Sequence, residues 1–192
     1  MPRARLLSAV AAVLLLPAAA AAQTWTGTFA PEAAGATGTG SVTISYDPGT
    51  FGLTMNATWS GLSGTTQIAH IHCCLAAPFS GTVGVAVTPG TLPDFPVGVM
   101  AGTYNRTVNL NDPASFTAAF VTNFGGGTLA GARTALFNGL DTQRAYFNIH
   151  TTTYPAGEIR AFTTNTVPEP STYALMATGL LGIGLAARRR RG

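Results

Sequence analysis

The sequence predicts a mainly β fold: an immunoglobulin-like, Greek-key β-sandwich with a short two-helix insertion. Three observations carry that prediction. Glycine fills 23 of the 192 positions and charged residues only 9%, against usual shares of about 7% and 25%. Short runs of valine, isoleucine, threonine and aromatic residues recur between clusters of glycine, proline, asparagine and aspartate, the pattern of strands joined by turns. Once both ends are set aside, residues 23–166 are enough for one domain with a sizeable core.

The chain begins MPRARLLSAVAAVLLLPAAAAAQ. Arg3 and Arg5 precede an apolar run, and Ala20 and Ala22 are the small residues that a signal peptidase requires. Residues 1–22 are therefore expected to be a signal peptide, a helix cut between Ala22 and Gln23. The body opens on SVTISY-DPGT-FGLTMNATW, a predicted hairpin. Val42, Ile44 and Tyr46 share one face, Asp47-Pro48-Gly49 supplies the turn, and Phe51 to Trp59 returns. Further strands are predicted at Thr66–His72, Gly81–Thr88 and Thr103–Leu110, with the proline-rich TPGTLPDFP between the last two.

Helices interrupt the strands at two points. NDPASFTAAFVTNFGGG offers Asp112 as an N-cap, Pro113 at the first helical position and glycines beyond the end. TLAGARTALFNGL predicts a second short helix stopping near Gly139. A last hairpin joins AYFNIHTT to EIRAF through Tyr154-Pro155-Ala156-Gly157. The tail, residues 167–192, places an apolar helix at about 172–187 before Arg188, Arg189, Arg190 and Arg191. At about 1.5 Å per residue it spans roughly 24 Å of a bilayer core of about 30 Å. Flanking residues and snorkelling arginines would complete a transmembrane helix with the arginines on the cytoplasmic side.

The formal net charge of +3 belongs to the ends. Between Gln23 and Thr166 the basic residues are Arg106, Arg133, Arg144 and Arg160, opposed by Glu32, Asp47, Asp94, Asp112, Asp141 and Glu158. That body carries a formal −2 and no lysine, which excludes the basic footprint of a nucleic-acid binder. Nor is there a G-x-S-x-G elbow or a G-K-[ST] phosphate loop. A non-catalytic protein is expected.

The chemistry concentrates in HIHCC, His70 to Cys74, which holds two of the three histidines and both cysteines. Residues two apart on a strand share a face, so His70 and His72 stand side by side. If the strand of His150 lies alongside, three imidazoles converge on a site suited to copper or zinc. A two-metal dismutase would need about twice as many histidines and is excluded. The competing reading is a polar network of imidazoles with Thr, Asn and Glu partners.

For the cysteines three states are open in an exported, oxidising setting. A vicinal Cys73–Cys74 disulfide would end the strand after His72. Continued alternation would instead bring Cys74 to the histidine face as a soft fourth ligand. Free or intermolecular thiols are the third state. Trp25, Trp59, Tyr104 and Tyr154 are candidate stacking surfaces for a carbohydrate-binding module.

AHIHCC (Ala69 to Cys74) and YFNIHTTTYPAGEIRAF (Tyr146 to Phe162) resemble the opening and closing signatures of CHRD domains. That resemblance implies an extracellular immunoglobulin-like β-sandwich without established catalysis, over most of Trp25 to Thr163. Its structural signature falls on Asn148, Pro155, Gly157, Glu158 and Arg160. Cys73 and Cys74 depart from the glycine and small residues usual after the second histidine. Glu158 is expected to bond a strand neighbour or pair with Arg160.

The order Val167-Pro168-Glu169-Pro170, apolar helix, basic tail is similar to the PEP-CTERM sorting signal, with Pro168, Glu169 and Pro170 as its motif. It implies signal peptidase and an exosortase-type enzyme as processing partners and a transient inner-membrane anchor. It also implies delivery to the cell envelope, outer surface or matrix of a Gram-negative, polysaccharide-producing bacterium, where polysaccharide or surface proteins become possible partners.

Overall fold

The computed structural model of the protein describes residues 22–166 and 170–189 and contains one antiparallel sheet of eight strands. The signal peptide through residue 21, the motif residues Pro168 and Glu169, and the last two arginines lie outside the described residues. The strands are β1 (Gln23–Pro31), β2 (Thr39–Asp47), β3 (Gly52–Ser60), β4 (Thr66–His72), β5 (Val85–Val87), β6 (Gly102–Asn109), β7 (Tyr146–Thr151) and β8 (Ile159–Asn165). Their order across the sheet is β5-β4-β7-β8-β1-β2-β3-β6.

The mainly β prediction holds, with the two layers made from one curled sheet. β1, which no sequence pattern singled out, joins the halves by pairing with both β2 and β8. The proline-rich connection after β5 closes the curl. Its Leu92 amide bonds Ala69 of β4, while Phe95 stacks on Trp59 of β3 with ring centroids 5.1 Å apart. Strand alternation then fills one core. Val42 and Ile44 on β2, and Leu53, Met55, Ala57 and Trp59 on β3, are all buried. Each large apolar side chain removed from water in this way contributes about 1.5–3 kcal/mol.

The predicted helical insertion is present between β6 and β7, with altered bounds. NDPASF forms only a 3₁₀ turn, Pro113–Ser115, whose N-cap Asp112 accepts from the Ala114 amide. The α-helix α1 (Ala118–Asn123) starts afresh from Thr117, whose hydroxyl accepts from the Phe120 amide. Thr117 also donates to Val85 O, so the strand edge decides where α1 begins. α2 (Leu129–Asp141) ends two residues after Gly139, close to the predicted stop. Asp141 at its end accepts from the Trp25 indole at 2.7 Å, and Phe137 stacks on the same indole.

The tail forms α3 (Pro170–Arg189), with Leu180, Leu181, Ile183 and Leu185 exposed. The predicted apolar helix at about 172–187 lies within α3; among the described residues no helix is long and apolar enough to cross a membrane. Arg188 and Arg189 form the basic last turn of α3.

Gly139 has a packing role. A methyl group there would collide with Cys73 Sγ and lie 3.2 Å from the Ala145 Cβ. Gly139→Ala would gain about 1 kcal/mol of helix propensity, but overpacking of a tight core costs roughly 1–3 kcal/mol. The expected result is net destabilisation, read as a lower urea midpoint; an unchanged or raised midpoint would show that the contact gives way freely.

Candidate metal centre

β4 and β7 run antiparallel, with His70 opposite Asn148, His72 opposite Tyr146, and Ile68 opposite His150. His150 is thus a diagonal neighbour of His70. The strand pattern turns all three imidazoles to one face, as expected from the two-residue spacing. One ring nitrogen from each lies within 4.8 Å of the other two. His70 and His150 are buried and His72 is half-buried.

The far side of every ring meets a backbone carbonyl. His70 Nε2 lies 2.5 Å from Gly90 O, His72 Nδ1 2.8 Å from Val83 O, and His150 Nδ1 2.9 Å from Pro155 O. A carbonyl only accepts, so each of these nitrogens carries the proton of a neutral ring. The lone pairs are left on His70 Nδ1, His72 Nε2 and His150 Nε2, and the first and last of these face each other.

Two consequences follow. His70 Nδ1 and His150 Nε2 stand 3.3 Å apart with no proton between them in the neutral rings. His72 Nε2 is buried without a hydrogen-bond partner. Adding a proton would relieve the contact, but burial holds all three pKa values below the ordinary 6.5, that of His72 at about 4. Two ligands about 2.0–2.1 Å from a tetrahedral ion are about 3.3 Å apart, the spacing His70 and His150 adopt. Backbone carbonyls on the far nitrogens are the usual means of orienting metal-bound imidazoles.

A second layer of polar contacts frames the histidines. Tyr146 stacks on His72, with centroids 4.9 Å apart and planes 9° from parallel. Asn148 donates through Nδ2 to Glu32, while its Oδ1 is buried without a partner. Arg160 pairs with Glu32 at 3.3 Å and donates to Gly81 O at 2.9 Å. Gly157 has φ +128°, and a Cβ there would press on the Glu32 carboxylate and Asn148 Nδ2. Burial raises the pKa of Glu32, and the Arg160 charge partly offsets this.

Residues 21–162 match the family model described as CHRD domain. The chain belongs to the CHRD domain family. Residues 166–191 match the PEP-CTERM protein-sorting motif. The protein is accordingly exported to the cell envelope and handled by an exosortase-type system. No curated protein and no solved structure gives a significant match.

In this CHRD domain the closing signature surrounds the histidines. Pro155 supplies the carbonyl for His150, Gly157 leaves room for Glu32, and Arg160 holds Glu32 in place. Glu158 bonds Thr151 on the neighbouring strand at 2.6 Å and also accepts from the Ser63 amide; Arg160 pairs with Glu32 instead. Glu32, Tyr146, Val83 and Gly90 were not legible as site residues, because long-range packing and backbone oxygens leave no motif.

Cys74 does not join the histidines. β4 ends at His72, Cys73 and Cys74 are disulfide-bonded, and both sulfurs face Ala135 O of α2 at 3.7 and 3.5 Å. The turn after His72 breaks the alternation on which the fourth-ligand expectation relied. Trp25, Trp59 and Tyr104 are core residues, and the Tyr154 hydroxyl donates to Ala34 O, so these aromatics present no common stacking face.

Three neutral histidines, two buried and one half-buried, make folding pH-dependent. Their pKa values are near 6.5 unfolded and lower when folded, so within that interval the unfolded chain binds protons that the folded chain refuses. Their contribution is fully present above pH about 6.5 and is lost as pH falls; for His72 the loss continues to about pH 4. Glu32, with its raised pKa, acts in the opposite sense above 4.5. Urea midpoints of the metal-free domain should fall steeply from pH 7 to 5; a flat profile would contradict neutral burial.

Proposed function

We propose that this exported CHRD domain is a non-catalytic copper- or zinc-binding protein of the cell envelope. One ion is held by His70 Nδ1, His72 Nε2 and His150 Nε2. The observation that carries this reading is the cluster of three imidazoles with ring nitrogens within 4.8 Å of one another, each ring fixed by a backbone carbonyl on one nitrogen so that the other keeps its lone pair. Neutral imidazoles suit copper and zinc, whereas calcium and magnesium take oxygen ligands. Asn148 Oδ1, on the same strand face as His150 and Tyr146, is buried without a partner and is one further acceptor beside the site.

A hydrogen-bonded histidine network with only a structural role is the competing reading, and it leaves His72 Nε2 and the His70–His150 contact unexplained. In the envelope, the apolar α3 and its terminal arginines suit transient residence at the inner membrane before processing. A polysaccharide-rich surface is the setting in which the released domain would then hold its ion.

The test is metal content of the untagged Gln23–Thr166 domain after incubation with Cu²⁺ or Zn²⁺ and desalting. One ion per chain is expected, with a melting temperature raised by the bound ion. At free ion 100-fold above Kd the stabilisation is about 2.7 kcal/mol. His72→Ala should fold, lose most of the binding and show no metal-dependent shift. Content far below one ion per chain in the wild-type domain would end the metal reading and leave the structural network.

A further inference from the structure

The two sulfurs of the Cys73–Cys74 disulfide differ in access. Cys73 is 1% exposed and belongs to the core. Cys74 is half-buried and lines an open cleft of about 540 Å³ with Phe124, Gly125, Thr134, Asn138 and Arg144. Cys73 borders a smaller hollow of about 210 Å³ that has no charged residue among its lining. Arg144 is the only charged residue lining the larger cleft, and it is exposed. The amide of Leu75 donates to Arg144 O at 2.9 Å, which fixes that residue beside Cys74.

Thiol–disulfide exchange requires a thiolate to reach one sulfur while the other leaves. Here only Cys74 is open to a small molecule, and a cation stands in the same cleft. We propose that Cys74 is a thiol-exchange site for a low-molecular-weight thiol bearing a carboxylate, guided by Arg144. The thiolate attacks Cys74 Sγ and forms a mixed disulfide. The Cys73–Cys74 bond breaks, and its electron pair leaves on Cys73 Sγ, which takes a proton from water. A second thiolate then attacks the small-molecule sulfur of the mixed disulfide, the bond to Cys74 Sγ breaks, and Cys74 leaves as a thiolate that takes a proton from water. The products are the small-molecule disulfide and a protein dithiol, two electrons having passed from the thiols to the protein. This inference does not depend on the metal reading.

Full-length Cys73→Ser and Cys74→Ser variants, incubated with glutathione disulfide, provide the test by intact mass. Cys73→Ser should gain one glutathionyl group and Cys74→Ser none over the same period. Adding Arg144→Gln to Cys73→Ser should slow glutathionylation roughly fivefold to tenfold, with no slowing for the cationic disulfide cystamine. If either cysteine variant fails to fold, the wild-type chain is treated briefly with reduced glutathione, trapped by acid and mapped, and the mixed disulfide should be found on Cys74. Equal modification of both variants, first attack at Cys73, or a native disulfide that survives prolonged millimolar glutathione would overturn the proposal.

Discussion

The antiparallel pairing of β4 with β7 is the constraint on which the rest of the structure depends. Its register sets His70 beside Asn148 and His72 beside Tyr146, and brings His150 diagonally to His70. A slip of one residue on either strand would turn that strand's histidines to the opposite face, because side chains alternate with a period of two. The register is held from both ends. Thr65 and Thr152 bond across the start of β4, and the Cys73–Cys74 turn stops the strand after His72. Six buried positions in succession on β7 leave it no tolerance for an alternative pairing.

Around that pair, loops with little regular structure do the orienting. Val83, Gly90 and Pro155 belong to three different connections, yet each presents a carbonyl to one imidazole. Ordering those loops has an entropic cost that the core must offset, and the residues anchoring them are apolar: Leu92, Phe95 and Val87 are all buried. The site and the core are therefore one cooperative unit. Protonating the histidines weakens the fold, and loosening the loops releases the ring tautomers.

The helical insertion acts on the other flank. α2 lies over Cys73 through the space left by Gly139, caps Trp25 with Asp141, and reaches β8 through Thr163. α2 is thereby tied to the sheet at three points. The helices also shape the cleft that exposes one sulfur of the disulfide and hides the other.

Much of this was legible in the residues. Period-two runs such as Val42-Ile44-Tyr46 marked the strands, because alternation is local and survives any tertiary context. The His-x-His spacing announced a shared face, NIHTTTYPAGEIR carried the closing hairpin, and the two charged, apolar extremities declared an exported protein. β1 escaped notice because its pattern of threonines around Trp25 and Phe29 becomes a strand only between β2 and β8. The start of α1 at Thr117 was likewise settled by a long-range contact, the bond of its hydroxyl to Val85 O. The sequence by itself determined which donors exist and which way they alternate along each strand. Only the tertiary structure decided that three imidazoles cluster, that Cys74 turns away from them, and that Glu32 and Arg160 close around Asn148. Those outcomes rest on backbone oxygens and residues more than a hundred positions apart, and neither leaves a pattern along the chain.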